Sequence, residues 1–192
     1  MKIAITGGIG SGKSHVADML RERGIQVYDC DRAAKRLMNT PKLRQQLTTL
    51  LGEDAYYGDG RLNKAVVSQF IMQSEQNRLA LGAIVHPAVA EDFLQSGLEW
   101  MESAILFESG FHNLVDKVVC LYAPMEVRLQ RIMQRDNITR QQAMQGIQLQ
   151  LSQEEMLKRS DYCILNYGRY NLIKQLSTLI TILNDNPQSN NK

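Results

Sequence analysis

Residues 7–14 read Gly7-Gly8-Ile9-Gly10-Ser11-Gly12-Lys13-Ser14, and the fold follows from them. They satisfy the pattern G-x-x-x-x-G-K-[ST] through Gly7, Gly12, Lys13 and Ser14. Glycines let the backbone curl until several N–H groups point at one anion, the helix that follows offers its positive end, and Lys13 adds a mobile full charge. Ser14 is then placed to put its hydroxyl on the magnesium that travels with a nucleotide. Residues 2–6, Lys-Ile-Ala-Ile-Thr, read as a short apolar strand, and residues 15–20 continue as a helix. The motif therefore stands at the strand-to-helix turn that its chemistry requires. A glycine-rich surface turn would need neither flank.

Outward from this stretch, Gly24 closes the first helix, and residues 25–28 form a second short strand that stops at Asp29-Cys30-Asp31. Strand, loop, helix, strand at this spacing predicts a parallel sheet. Ligands of such sheets bind beyond the carboxyl ends of the strands, where residues 7–14 and 29–31 both fall. Strand patterns return at residues 103–107, ended by Glu108, at 117–122, and at 162–165 before Asn166. The expected architecture is α/β: a five-stranded parallel sheet with helices on both faces, its core in residues 1–40 and 102–192. Residues 41–101 show no strong strand signal. Helices are expected from Thr40-Pro41 to Leu51 with Gly52 closing, from Asn63 and from Ser74, with His86-Pro87 as a break. This insertion reads as a substrate-binding lobe, the alternative being a plain helical face of the fold. The last helix is expected from about Tyr170 to Leu183, and residues 184–192 read as a polar, disordered tail.

With 192 residues, 44% hydrophobic and 22% charged, the chain fits one well-cored soluble domain with inserted lobes. A net charge of +2 gives no support for a global nucleic-acid or membrane partner. Cys30, Cys120 and Cys163 have no metal-ligand spacing and lie in or beside apolar runs, so buried, reduced thiols in a cytoplasmic protein are expected. No run approaches the roughly 20 apolar residues of a membrane span, and the first residues carry no signal-peptide pattern.

The helix expected over residues 124–136 separates into two stripes at 100° per residue. Met125, Leu129, Ile132 and Met133 share one arc, and Arg128, Arg131 and Arg135 share the next. Arg140 continues the basic set beyond Thr139, a residue able to cap a new helix. Beside a phosphate loop such arginines suit a closing lid, at about residues 131–150, because phosphoryl transfer spreads negative charge over several oxygens. A solvated basic face is the plain alternative. Asp31 is the candidate base, since transfer to a hydroxyl needs a carboxylate that orients the oxygen and accepts its proton. Asp29 either caps the next helix or, like Asp31, reaches the magnesium through water. Glu108 either contacts the metal through water or is solvated, and His86 is either structural or a substrate contact.

Taken together, residues 6–14, Asp29-Cys30-Asp31, His86-Pro87, Ile105-Leu106-Phe107-Glu108, Arg131 with Arg135-Asp136, Gln150 and residues 161–166 resemble the dephospho-CoA kinase family over nearly the whole chain. The resemblance implies a P-loop NTPase fold with a helical lobe and an arginine-bearing lid, in a cytoplasmic monomer or small homo-oligomer. It further implies transfer of the ATP γ-phosphoryl group to the ribose 3′-hydroxyl of dephospho-CoA, with Mg2+. Mapped by position, Gly8, Ile9, Gly10, Ser11, Gly12, Lys13 and Ser14 hold the phosphates, and Arg140 and Asn166 lie on the nucleotide side. Asp31 faces the acceptor hydroxyl, with Lys64, His86, Pro87 and Glu108 on the acceptor side and Lys13, Arg131 and Arg135 acting in transfer. The family pattern has arginine at Lys64, proline at Ala104 and a carboxylate at Leu165. A shikimate- or gluconate-type kinase is the rival, but the Gly-Gly-Gly substrate motif of shikimate kinases is absent. A guanine-nucleotide switch is disfavoured, because Asn63-Lys64 is followed by Ala65-Val66 and not by x-Asp.

Overall fold

The computed structural model describes residues 1–185. In chain order the elements are β1 (Ile3–Thr6), α1 (Lys13–Arg21), β2 (Val27–Asp29), α2 (Cys30–Leu37), α3 (Pro41–Leu51), α4 (Lys64–Gln73), α5 (Glu75–Ser96), β3 (Trp100–Glu102), β4 (Lys117–Tyr122), α6 (Met125–Asp136), α7 (Arg140–Gln148), α8 (Gln153–Lys158), β5 (Tyr162–Leu165) and α9 (Leu172–Asp185). The strands form one sheet in the order β2-β3-β1-β4-β5. β1 pairs in parallel with β3 (Ile3 opposite Trp100) and with β4 (Ile3 opposite Lys117), and β4 pairs with β5 (Val119 opposite Tyr162). All of β1 is buried, which is why it reads as an unbroken apolar run and not as an alternation. Because the chain leaves β1 toward β2 and later returns to its other side with β4, the turn after Thr6 lies at the topological switch point.

The chain divides into two compact units, residues 1–27 with those from 99 onward, and residues 28–98. In the first, α1 and α9 pack on the sheet through Val16, Leu20, Leu176 and Leu179 against Ile3, Ile5, Val119 and Leu121. A second cluster joins α6 and α7 through Leu129, Ile132, Ala143 and Ile147, with Ile9 of the glycine loop packed against it. The helical unit has its own buried set, Leu43, Leu47, Val85, Val89 and Phe93. It begins at Tyr28, so α2 belongs to it, earlier than the expected start at residue 41.

Helix starts follow the expected caps. Asn63 accepts from Ala65 N–H, Ser74 from Asn77 N–H, and Thr139 forms a capping box with Gln142. Other expectations are corrected. The third strand is residues 100–102, not 103–107. Ser103 N–H still meets Ile5 O, but Thr6 Oγ1 then takes the Ser103 carbonyl (2.9 Å) and the Ser103 hydroxyl takes Ile105 N–H (3.3 Å), diverting the backbone into a turn. His86-Pro87 does not break its helix: α5 runs through Pro87, held by Val85, Val89 and Phe93 on its buried face. Cys30 and Cys120 are buried, but Cys163 is exposed, because β5 is an edge strand. Asn184 and Asp185 end α9 instead of starting a tail, and residues 186–192 lie outside the described residues.

Within the helical unit, Tyr28 Oη (2.7 Å) and Arg36 both donate to Asp92 Oδ2, tying the two ends of α2 to α5. Burial and the Asp92 bond push the Tyr28 hydroxyl above its usual range. Burial also tends to raise the Asp92 carboxyl, yet the bonds from Arg36 and Tyr28 outweigh it and hold the group below the usual carboxylate range. That stabilisation is present above the unfolded pKa of about 3.9 and is lost as pH falls through the lower folded value. Arg36 is mostly exposed, so the Tyr28 bond carries most of it. Asp92→Asn is expected to lower stability at pH 7 by about 1–2 kcal/mol, with the deficit shrinking toward pH 3. Urea melts at both pH values check this, and an equal deficit at both would remove the charge from the account.

Candidate active site

The glycine loop is shaped by conformation and by contact. Gly7 (φ 144°), Gly10 (φ 81°) and Gly12 (φ 95°) occupy backbone regions that favour glycine. Their surroundings are closed as well. A Cβ on Gly7 would lie 2.6 Å from the Leu121 carbonyl oxygen, one on Gly10 2.7 Å from the Arg128 carbonyl oxygen, and one on Gly12 against the Asn166 amide. Gly12 is the N-cap of α1, so the free amides of that helix open directly onto the loop.

Every carbonyl from Gly7 to Ser11 faces a donor. Lys13 Nζ donates to Gly7 O (2.9 Å) and Gly8 O (3.4 Å), and Arg128 Nε to Ile9 O (2.9 Å). Arg131 reaches Gly10 O (3.3 Å) and Ser11 O (3.4 Å), and Asn166 Nδ2 donates to Ser11 O (2.8 Å). Arg131 also donates to Asn166 O (2.9 Å), linking α6 to the end of β5. Gln150 accepts from Ile9 N–H (2.8 Å), and beside it Leu151 N–H donates to Glu108 Oε1 (2.8 Å). Glu108, exposed, thus anchors the segment that leaves α7.

The expected basic stripe is not one surface. Arg128 is buried, Arg131 lies on the loop, and Arg135 turns both arms to its neighbour Asp136 (2.7 and 2.8 Å). Arg140 does the same with Glu126 (2.7 and 2.8 Å). Helical periodicity tells which residues share a face; it is blind to the backbone carbonyls that decide what each meets.

Ser14 Oγ donates to Glu102 Oε1 at 3.0 Å. Glu102, buried at the carboxyl end of β3, is the site residue that the sequence reading missed, and its signal was Trp100-Met101 ended by a carboxylate. The apolar run after it drew the strand assignment away. A hydroxyl and a carboxylate so placed are hard oxygen donors, which suits Mg2+ held largely by phosphates and water. Among the described residues no three His, Cys, Asp or Glu side chains cluster.

In the helical unit, Asp29 caps α2 by accepting Arg32 N–H at 2.8 Å. Asp31 is exposed in the first turn of α2. His86 is half-buried on α5, and burial pushes its pKa down; Gly82, one turn earlier, leaves room for its ring. Lys64 opens α4 and Pro87 lies within α5, both exposed. Gly12→Ala, which adds a Cβ at positive φ into Asn166, is expected to abolish nucleotide binding while the melting temperature shifts by only a few degrees. Calorimetric titration with ATP and a melt of the same sample check it, and wild-type affinity would show that the loop tolerates a different curl.

Comparison with known proteins follows the same lines. The family model for dephospho-CoA kinase matches residues 1–171. A dephospho-CoA kinase of Bacteroides fragilis is 41% identical over 191 residues, covering 95% of this chain and 93% of that protein. A crystal structure of a Thermus thermophilus protein superposes with a TM-score of 0.82 at 29% identity, covering 98% of each chain. The dephospho-CoA kinase of Campylobacter jejuni shares the fold, with a TM-score of 0.67 at 23% identity over 96% of this chain and 98% of that one. With its phosphate loop, its parallel sheet and a family match through residue 171, this chain belongs to the dephospho-CoA kinase family.

Proposed function

We propose that this chain transfers the γ-phosphoryl group of ATP to the ribose 3′-hydroxyl of dephospho-CoA, working in the cytoplasm. The observation that carries the reading is the glycine loop with Ser14 bonded to Glu102 at its helix end. The amides at the start of α1 bind the phosphates, and Lys13 exchanges the Gly7 carbonyl for phosphate oxygen. Ser14 and Glu102 would hold Mg2+, which would supply charge neutralisation for the phosphoryl group in transfer. Asp31 orients the acceptor hydroxyl and takes its proton. Arg131 steadies the loop, and Arg135 and Arg140 leave their carboxylates for the nucleotide as the lid closes. Lys64, His86, Pro87 and Glu108 remain assigned to the acceptor side, and Asn166 to the nucleotide side. Among the described residues no helix is long and apolar enough to cross a membrane.

The purified protein with Mg·ATP is expected to phosphorylate dephospho-CoA in preference to shikimate, gluconate or a nucleoside monophosphate, read as ADP release over that panel. A preference for any of the others would overturn the assignment. Asp31→Asn is expected to lower kcat by about 100- to 10,000-fold with little change in ATP affinity. Undiminished turnover would take Asp31 out of the base role.

A further inference from the structure

Arg128 has no part in the roles assigned above, yet its environment is unusual. The side chain is 4% exposed, and among the described residues its one hydrogen bond runs from Nε to the carbonyl of Ile9 at 2.9 Å. Among the described residues no carboxylate lies in salt-bridge contact with it. The guanidinium rests against Gly8, in the space that a Cβ there would fill. The acidic group that acts on it most strongly is the Cys120 thiol. Burial pushes the Cys120 thiol up to about 12, so it supplies no counter-charge. Burial also pulls the arginine below its usual range. A full charge largely withdrawn from water beside one carbonyl dipole is destabilising, and a neutral side chain of similar size would serve packing better.

We propose that Arg128 is a fixed cation behind the phosphate loop whose charge is balanced by the bound triphosphate, a positioning residue that tightens nucleotide binding while destabilising the free protein. The Nε bond fixes the Ile9 carbonyl, and the guanidinium backs Gly8. With Lys13 and Arg131 on neighbouring carbonyls, three cations surround residues 7–11. Arg128 is the one fixed most firmly by burial, so its field is present before the ligand arrives. This rests on the loop being the ATP site.

The test compares the full chain with R128Q, which keeps a donor for Ile9 without charge, with R128K, which keeps charge, and with R128M, which keeps neither. Titration with ATP and with inorganic triphosphate is paired with melting of the ligand-free proteins. R128Q and R128M are expected to bind both ligands roughly tenfold more weakly, the size of one unit charge acting across the loop, while melting at or above the wild-type temperature. R128K is expected to recover most of the affinity, and the wild-type excess is expected to shrink as salt rises. ATP affinity of R128Q within twofold of wild type would overturn the proposal, as would weakened binding accompanied by a lowered melting temperature in both R128Q and R128M. Should R128M fail to fold, R128Q decides. A wild-type protein that does not bind ATP would refute the reading of the loop itself, and is distinguished because no variant is then needed.

Discussion

Five consecutive carbonyls, from Gly7 to Ser11, are each held by a donor, and the rest of the sheet unit is arranged to supply those donors. A planar trans peptide points its C=O and N–H in opposite directions, so fixing the oxygens fixes the amides. Glycine at residues 7, 10 and 12 lets the chain take the necessary turns, but it does not choose among the many conformations open to it. The donors make that choice. They come from α1, from α6 after β4, and from the residue that follows β5. This explains why β4 lies beside β1 and β5 beside β4, each strand delivering its contribution to the same edge.

Much of this was legible in the sequence, and the limits have physical reasons. Residues 7–14 fix the strand-to-helix turn because few other uses exist for that spacing of glycine, lysine and serine. Caps at Asn63, Ser74 and Thr139 were readable because capping is local, between a side chain and amides two or three residues on. Glu102 was hidden because side-chain bonds from Thr6 and Ser103 end β3 before the more apolar residues 104–107, and tertiary hydrogen bonds leave no periodic trace. Arg128 was placed in the right arc of α6 but with the wrong exposure. Its acceptor is a main-chain oxygen 119 residues away, which no pattern of side chains encodes.

The helical unit answers a different constraint. The carboxylate proposed as the base would lose much of its value on a loose segment, since effective concentration depends on orientation. Tyr28 precedes α2 and Arg36 closes it, and both converge on Asp92 of α5, while Asp29 caps the first turn. Asp31 is therefore carried on a helix pinned at both ends. The same α5 carries His86, with Gly82 trading helix propensity for the space that the imidazole occupies. Pro87 is tolerated for a related reason: three buried side chains on one face hold the helix across the hydrogen bond that proline cannot make.

The arginines of α6 and α7 sort by what neutralises them, and that sorting separates preset charge from recruitable charge. Arg135 and Arg140 are paired with Asp136 and Glu126 in exposed positions, where an ion pair is worth about 0–1 kcal/mol. Exchanging such a carboxylate for a more highly charged phosphate costs little, as the proposed lid role requires. Arg131 is partly buried on two loop carbonyls, and Arg128 is buried on one. Neither needs to move to act on an anion in the loop, and any motion would release the carbonyls that shape it. Under the proposed function, a site built this way would meet the triphosphate with charges already in place and leave the weakly paired arginines for closure of the proposed lid.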